Sequence, residues 1–83
     1  MKFTRNHEDI TVQGQTIRVN ELSIAEFEQV TAVSEADSLV ELLWLCLEPQ
    51  PASKDEIPTW PASIVNQLAS SAMAINGLAD QGN

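Results

Sequence analysis

Three places in the sequence carry side chains that could take part in catalysis. The first is His7, which stands beside Glu8 and Asp9, and a histidine oriented by a carboxylate is a common general base. It is the only histidine, and no nucleophile in a recognisable motif accompanies it. The simpler interpretation is a solvated histidine in a polar N-terminal segment, so this cluster does not predict acid–base catalysis.

The second place is Cys46, the only thiol of the chain. A reactive cysteine needs a nearby cation or a helix N-terminus to stabilise its thiolate, whereas Cys46 lies between Leu45 and Leu47 near the end of a predicted helix. We expect it to be a small buried hydrophobic residue. A single cysteine also excludes an intramolecular disulfide and offers no paired spacing for a zinc site.

The third place is the adjacent pair Asp55 and Glu56, in a segment rich in proline. Catalytic carboxylate pairs face each other across a cleft, so two neighbours in a loop are better interpreted as solvated. The sequence also lacks a glycine-rich phosphate loop and a cluster of metal ligands. We therefore expect a protein that is not an enzyme and that binds no cofactor or metal.

Composition restricts the partners of this chain. Twelve acidic residues face four basic ones, for a net charge of −8 and a pI near 4.2, which opposes attraction to nucleic acid and to anionic membranes. The strongly apolar stretch 39–47 contains Glu41 and is shorter than the ~20 residues that cross a bilayer. The N-terminus lacks the apolar segment of a secretory signal. These features predict a cytoplasmic protein without membrane or nucleic-acid contacts.

The elements that must position any site begin with a β-hairpin. We expect one domain over residues 1–83, with an ordered core at about 10–78 and loose ends at 1–8 and 79–83. Residues 10–19 alternate apolar and polar side chains on both sides of Gly14, as a hairpin does. Its apolar face needs cover, which we expect from helices one and two. This face would consist of Ile10, Val12, Ile17 and Val19.

Two helices are predicted to follow the hairpin. Ser23 and Glu26 have the spacing of a capping box, and Leu22 and Phe27 that of a hydrophobic staple. A second helix should begin after a capping serine, at position 34, and extend over about 35–47. It is apolar nearly all round near its end, so we expect it to be central.

Residues 49–61 contain all four prolines and are predicted to be a loop without regular structure. The last helix should begin around Pro61 and end before Gly77, with Leu78 folding back onto it. One side would pack on helix two and the hairpin, and the other would be polar but uncharged, a surface suited to a protein contact. We assign to the inner side Ile64, Val65, Leu68, Ala69, Ala72, Met73 and Ile75, and to the outer side Ser63, Asn66, Gln67, Ser70, Ser71 and Asn76. The predicted fold class is thus α+β, a hairpin packed on about three α-helices.

The order of elements and two short motifs resemble those of small phage tail assembly chaperones. The motifs are "LSIAE" at 22–26 and "PASIVNQLASSAMAINGL" at 61–78. The resemblance implies a non-enzymatic protein that binds the tape-measure protein in the host cytoplasm and helps tail tube subunits to assemble around it. The resemblance also implies the tail tube protein as a second partner. In such families a programmed frameshift often yields a longer form. The resemblance does not decide whether the protein self-associates.

A partner helix lying in an apolar groove with an acidic rim would suit this function. The acidic residues have solubility as their simpler explanation, the apolar ones have core packing, and Trp60 is either a lid on the core or an exposed anchor. The candidate partner-binding residues are Glu26, Glu28, Glu35, Leu39, Leu43, Trp44, Trp60, Leu68, Ser70, Ser71 and Met73.

Two other functions fit the composition. An acidic protein can mimic DNA and inhibit a nucleic-acid-binding enzyme, but mimicry favours regular rows of carboxylates. Here their spacing is irregular, and the last helix has none before Asp80. A small regulatory or toxin-neutralising subunit is the other alternative, and composition does not separate it from a chaperone.

Overall fold

The chain folds as an α+β domain, as predicted. A computed structural model describes residues 1–77, so the expectations for Leu78 and for 79–83 lie outside the described residues. The strands are β1 (His7–Val12), β2 (Gln15–Asn20) and β3 (Leu47–Glu48). The helices are α1 (Ile24–Ala32), α2 (Glu35–Cys46), a 3-10 helix (Lys54–Thr59) and α3 (Ala62–Ile75).

The hairpin of β1 and β2 closes through a two-residue turn. Gln13 and Gly14 both have positive φ, 49° and 78°, which is the geometry of the type I′ turn whose twist matches that of paired strands. The antiparallel register places Ile10 opposite Ile17, so the apolar residues share one face. Strand β1 begins at His7, inside the segment 1–8 that we expected to be loose.

A third strand, which the sequence pattern did not predict, completes the sheet. β3 pairs antiparallel with β2 and places Leu47 opposite Val19, giving the strand order β1-β2-β3. With two residues, β3 is too short to show an alternating pattern. It directly follows α2, so the pairing fixes the end of that helix against the sheet.

The start of α1 has the predicted capping box. The Ser23 Oγ accepts a hydrogen bond from the backbone N–H of Glu26 (3.2 Å), and the Glu26 carboxylate accepts one from the N–H of Ser23 (2.9 Å). Leu22 is buried and Phe27 partly buried, and both line one small hollow, as expected of a staple. At the start of α2 the predicted side-chain cap is absent, because the Ser34 hydroxyl donates to Asp37 instead (2.9 Å).

The apolar face of the hairpin is covered by α3 and α2, whereas α1 packs mainly on α2. Our expectation that helices one and two cover the hairpin was therefore wrong for helix one. The centre of the core contains Val19, Leu43 and Leu68, all with no solvent exposure. The Ser71 hydroxyl also donates a hydrogen bond to the Glu8 carboxylate, which ties α3 to β1.

The proline-rich segment 49–61 is more ordered than we predicted. It contains the 3-10 helix, which packs on α2 and buries Ile57 almost completely, at 1% exposure. Proline has the φ that a 3-10 turn needs, so Pro58 is compatible with this short helix although it would disrupt the interior of an α-helix. Pro61 then occupies the N-cap position of α3.

Candidate partner-binding groove

An open groove of about 470 Å³ lies between α1, α2 and the C-terminal part of α3. Most of its lining is apolar, with two hydroxyls and one carboxylate at its margin. The lining residues are Phe27, Val30, Thr31, Val33, Glu35, Ser38, Leu39, Leu42 and Met73. We call this set of residues the groove.

The groove follows from the tight connection between α1 and α2. Only Val33 and Ser34 separate the two helices, so they pack side by side and leave a furrow along their contact. The capping box fixes the direction of α1, and Phe27 lies one turn after that cap. Met73 of α3 adds a wall that comes from a distant part of the chain.

Large apolar side chains at the groove are open to solvent. Leu39 is 37% exposed and Met73 is 42% exposed, and both would bury further apolar surface under a partner. The unbranched side chain of Met73 can also adapt to the shape of what binds there.

A second, smaller hollow continues from the groove around the side chain of Phe27. It has a volume of about 210 Å³. Ile24, in the first turn of α1, contributes to it and is 80% exposed. The remaining lining residues are Glu21, Leu22, Ser23 and Asn76. We call this the small hollow.

Basic side chains do not line the groove or the small hollow in the described part of the chain. Three of the four form ion pairs within the chain. The hydrogen bond from Arg18 also lowers the pKa of Asp9 below its ordinary value of 3.8. The pairs are Arg5–Glu26 (2.9 Å), Arg18–Asp9 (3.0 Å) and Lys54–Glu41 (2.7 Å).

The structure brings three of the predicted partner-binding residues together. Glu35, Leu39 and Met73 all line the groove, although Met73 was assigned to the buried side of the last helix. Glu28 is exposed on α1 but does not line the groove. We had also expected Glu26 to contact a partner. Its carboxylate instead accepts a hydrogen bond within the helix cap and pairs with Arg5, so it is not free for a partner.

Three other predicted contact residues are buried, which corrects the sequence-based assignment. Leu43 and Leu68 have no exposed surface and belong to the buried core, on helices α2 and α3 that pack against each other. Ser71 is only 8% exposed and donates to Glu8, so it belongs to the inner side of α3. Ser70 is exposed on the outer side, as predicted.

The two tryptophans lie away from the groove. Trp44 is partly buried, and the Lys54 ammonium stands 6.0 Å from its ring centroid, within the range of a cation–π contact. Trp60 packs partly buried on the core, as a lid does, and its indole N–H donates to Glu56 (3.3 Å). It lines two clefts of about 210 and 230 Å³, to which hairpin residues also contribute.

Sequence reasoning missed most of the groove lining, including Phe27, Val30 and Leu42 as members of a surface. The staple already identified Phe27, but as a helix-entry contact. The available signal was the excess of apolar positions on α1 and α2 over what one core-facing stripe requires. The position of Met73 depends on how α3 crosses the other helices, which periodicity does not encode.

The residues that could have carried chemistry lie in three separate elements, namely β1, α2 and the 3-10 helix. Cys46 is fully buried, and this burial raises the pKa of its thiol to about 11, so the thiol is protonated at neutral pH. His7 is exposed on β1, and Glu56 accepts from the N–H of Ala52 and from Trp60. Within residues 1–77, no three His, Cys, Asp or Glu side chains are grouped as metal ligands would be.

No helix in the described part of the chain has the length and hydrophobicity to cross a membrane. Comparison with protein-family models gives no match for this chain. Comparisons with curated proteins and with solved structures give no match either.

Proposed function

We propose that this protein is a non-enzymatic chaperone of phage tail assembly, which binds an apolar helical segment of the tape-measure protein in the host cytoplasm and assists assembly of the tail tube. The observation that carries the proposal is the exposed apolar groove of α1, α2 and Met73. The resemblance in element order and motifs supplies the identity of the partner. The geometry supplies a surface on which such a partner can bind.

The groove has the features of a helix-binding surface. Its exposed residues Leu39 and Met73 come from two helices that converge on Phe27, so a partner helix would insert side chains spaced three or four residues apart between them. Burial of apolar surface stabilises such a contact by roughly 25 cal/mol per Å². No bond is made or broken, so the only function required of the groove is reversible shielding.

The charge of the protein fits a shielding role. A long apolar helix that waits for assembly is prone to aggregate, because its hydrophobic surface is exposed to other copies. A partner with a net charge of −8 makes the complex more soluble through charge repulsion between complexes. The chaperone function ranks above DNA mimicry because the carboxylates are irregularly spaced along the chain and the last helix has none before Asp80.

Co-expression with the tape-measure protein tests this proposal. We expect the wild-type chain to raise the soluble fraction of the tape-measure protein several-fold, and Leu39→Asp to lose most of this effect by placing a charge in the groove. Ser70→Glu is the matched control, because it adds a charge at an exposed position on the outer side of α3. Circular dichroism melts confirm that both variants are folded.

Two results would contradict the proposal. The groove is not the binding surface if folded Leu39→Asp solubilises the tape-measure protein as well as the wild type does. DNA mimicry would replace the chaperone function if the wild type fails to bind the tape-measure protein but displaces duplex DNA from a basic DNA-binding enzyme.

A further inference from the structure

We infer that the segment bound by this protein is an amphipathic helix whose apolar face is flanked at both ends by basic residues, and that it lies along α1. This inference rests on the proposed function and specifies the chemistry of the partner at the same site. Neither the motifs nor the composition indicates where on the surface charge and apolar contact coincide. In the structure, carboxylates that precede and follow α1 in the chain line the same apolar surface.

The apolar surface is continuous along α1. Phe27 lines both the groove and the small hollow, so the two form one strip. Ile24, Phe27 and Thr31 follow each other at intervals of three and four residues and therefore share one face of α1. The strip runs along this nine-residue helix, a length of roughly 13 Å. A partner helix of similar length can lie against it.

Both ends of the strip carry negative charge. Glu21 lines the small hollow three residues before α1, and Glu35 lines the groove three residues after α1 ends. Each end of the strip therefore has one carboxylate among its lining residues. Glu21 accepts a hydrogen bond from the N–H of Asn6 (3.1 Å), and neither carboxylate forms an ion pair within residues 1–77. The Glu26 carboxylate also lies near the Glu21 end, but its ion pair with Arg5 (2.9 Å) leaves that pair without net charge.

The negative charge of the strip disfavours acidic occupants. A second copy of this chain would bring identical carboxylates and two net charges of −8 towards each other. An acidic or phosphate-bearing partner would meet the same repulsion. A helix with Lys or Arg roughly three turns apart instead places a positive charge near Glu21 and another near Glu35. Such pairs at a solvated rim determine orientation and encounter more than affinity.

Two synthetic helical peptides of about 18 residues test the inference with the full-length protein. Both carry the same leucine face, but at the two positions that flank this face, roughly three turns apart, one peptide has Lys and the other has Glu. In fluorescence anisotropy titrations at about 50 mM salt, we expect the Lys-flanked peptide to bind roughly fivefold or more tightly than the Glu-flanked peptide. At about 500 mM salt the difference should largely disappear, because exposed charges are then screened.

Variants that remove one carboxylate charge each show which residues cause the preference for the Lys-flanked peptide. Glu21→Gln and Glu35→Gln should each reduce the preference for the Lys-flanked peptide, and the double variant should remove most of it. Asp55→Asn is the matched control, since it removes one exposed carboxylate that lines a different hollow. A preference that survives the double variant, or that Asp55→Asn reduces equally, would show that the ends of α1 do not select the partner.

The outcomes separate this inference from the proposed function. If both peptides bind equally and Leu39→Asp abolishes both interactions, the groove binds helices, but the inference that the partner has basic flanking residues is wrong. If neither peptide binds while sedimentation shows a dimer that Leu39→Asp dissociates, a second copy is the occupant and both statements fail. A Glu-flanked peptide that binds more tightly would also overturn the inference.

Discussion

Asn76 shows how one polar side chain joins three parts of this small fold. Its Oδ1 accepts from the N–H of Leu22 (2.9 Å), beside the start of α1. Its Nδ2 donates to the carbonyl of Ala72 (2.8 Å) and to the Cys46 sulfur (3.8 Å). A partly buried amide is stable when its hydrogen bonds are satisfied, so this residue fixes the end of α3 against the beginning of α1. From the sequence pattern we had expected Asn76 on the outer side of the last helix.

Because of Cys46, the stability of the protein should change with pH in the alkaline range. Burial raises the pKa of its thiol from an ordinary value of 9.0 to about 11, so the folded chain keeps the proton that the unfolded chain loses. The free energy of unfolding should therefore fall as pH rises from 9.0 to about 11, by up to about 2 kcal/mol. Urea melts across this range measure it. Cys46→Ala should show a smaller fall, and an equal fall in both proteins would contradict the assignment.

At the scale of single elements, the cap of α1 makes the clearest contribution. Ser23→Ala should lower the free energy of unfolding by ~1 kcal/mol, because the N–H of Glu26 loses its acceptor. Glu26→Gln should cost less, since a side-chain oxygen remains to accept from Ser23. Denaturant melts compare the two, with Ser70→Ala as an exposed control. Equal midpoints for Ser23→Ala and the wild type would mean that this hydroxyl does not stabilise the helix.

Elements defined by local chemistry could be predicted from the sequence. The Gly14 turn with its alternating flanks specified the hairpin, and the Ser23–Glu26 spacing specified the start of α1. The short strand β3 and the 3-10 helix could not be predicted in this way. Two residues are too few for a period, and the burial of Ile57 depends on contact with α2 rather than on its neighbours in sequence.

At the scale of the whole molecule, the groove depends on tertiary packing. Leu39 and Glu35 were candidates from the sequence, but so were Leu43 and Leu68, and helical spacing alone does not tell which leucine faces the core. The packing of α3 determines which of these leucines face the core. The same packing exposes Met73 and buries Ser71, which reverses the sides that their polarity had predicted.

A nitrogen-15 NMR titration of the full-length protein with a soluble helical fragment of the tape-measure protein tests the central claim most directly. We expect the largest backbone shift changes along α1 and around Leu39 and Met73, because these residues form the groove. The solvent face of the sheet, including Thr11 and Thr16, should change little. Largest changes on the outer side of α3 or beside Trp60, with groove amides unmoved, would contradict the account.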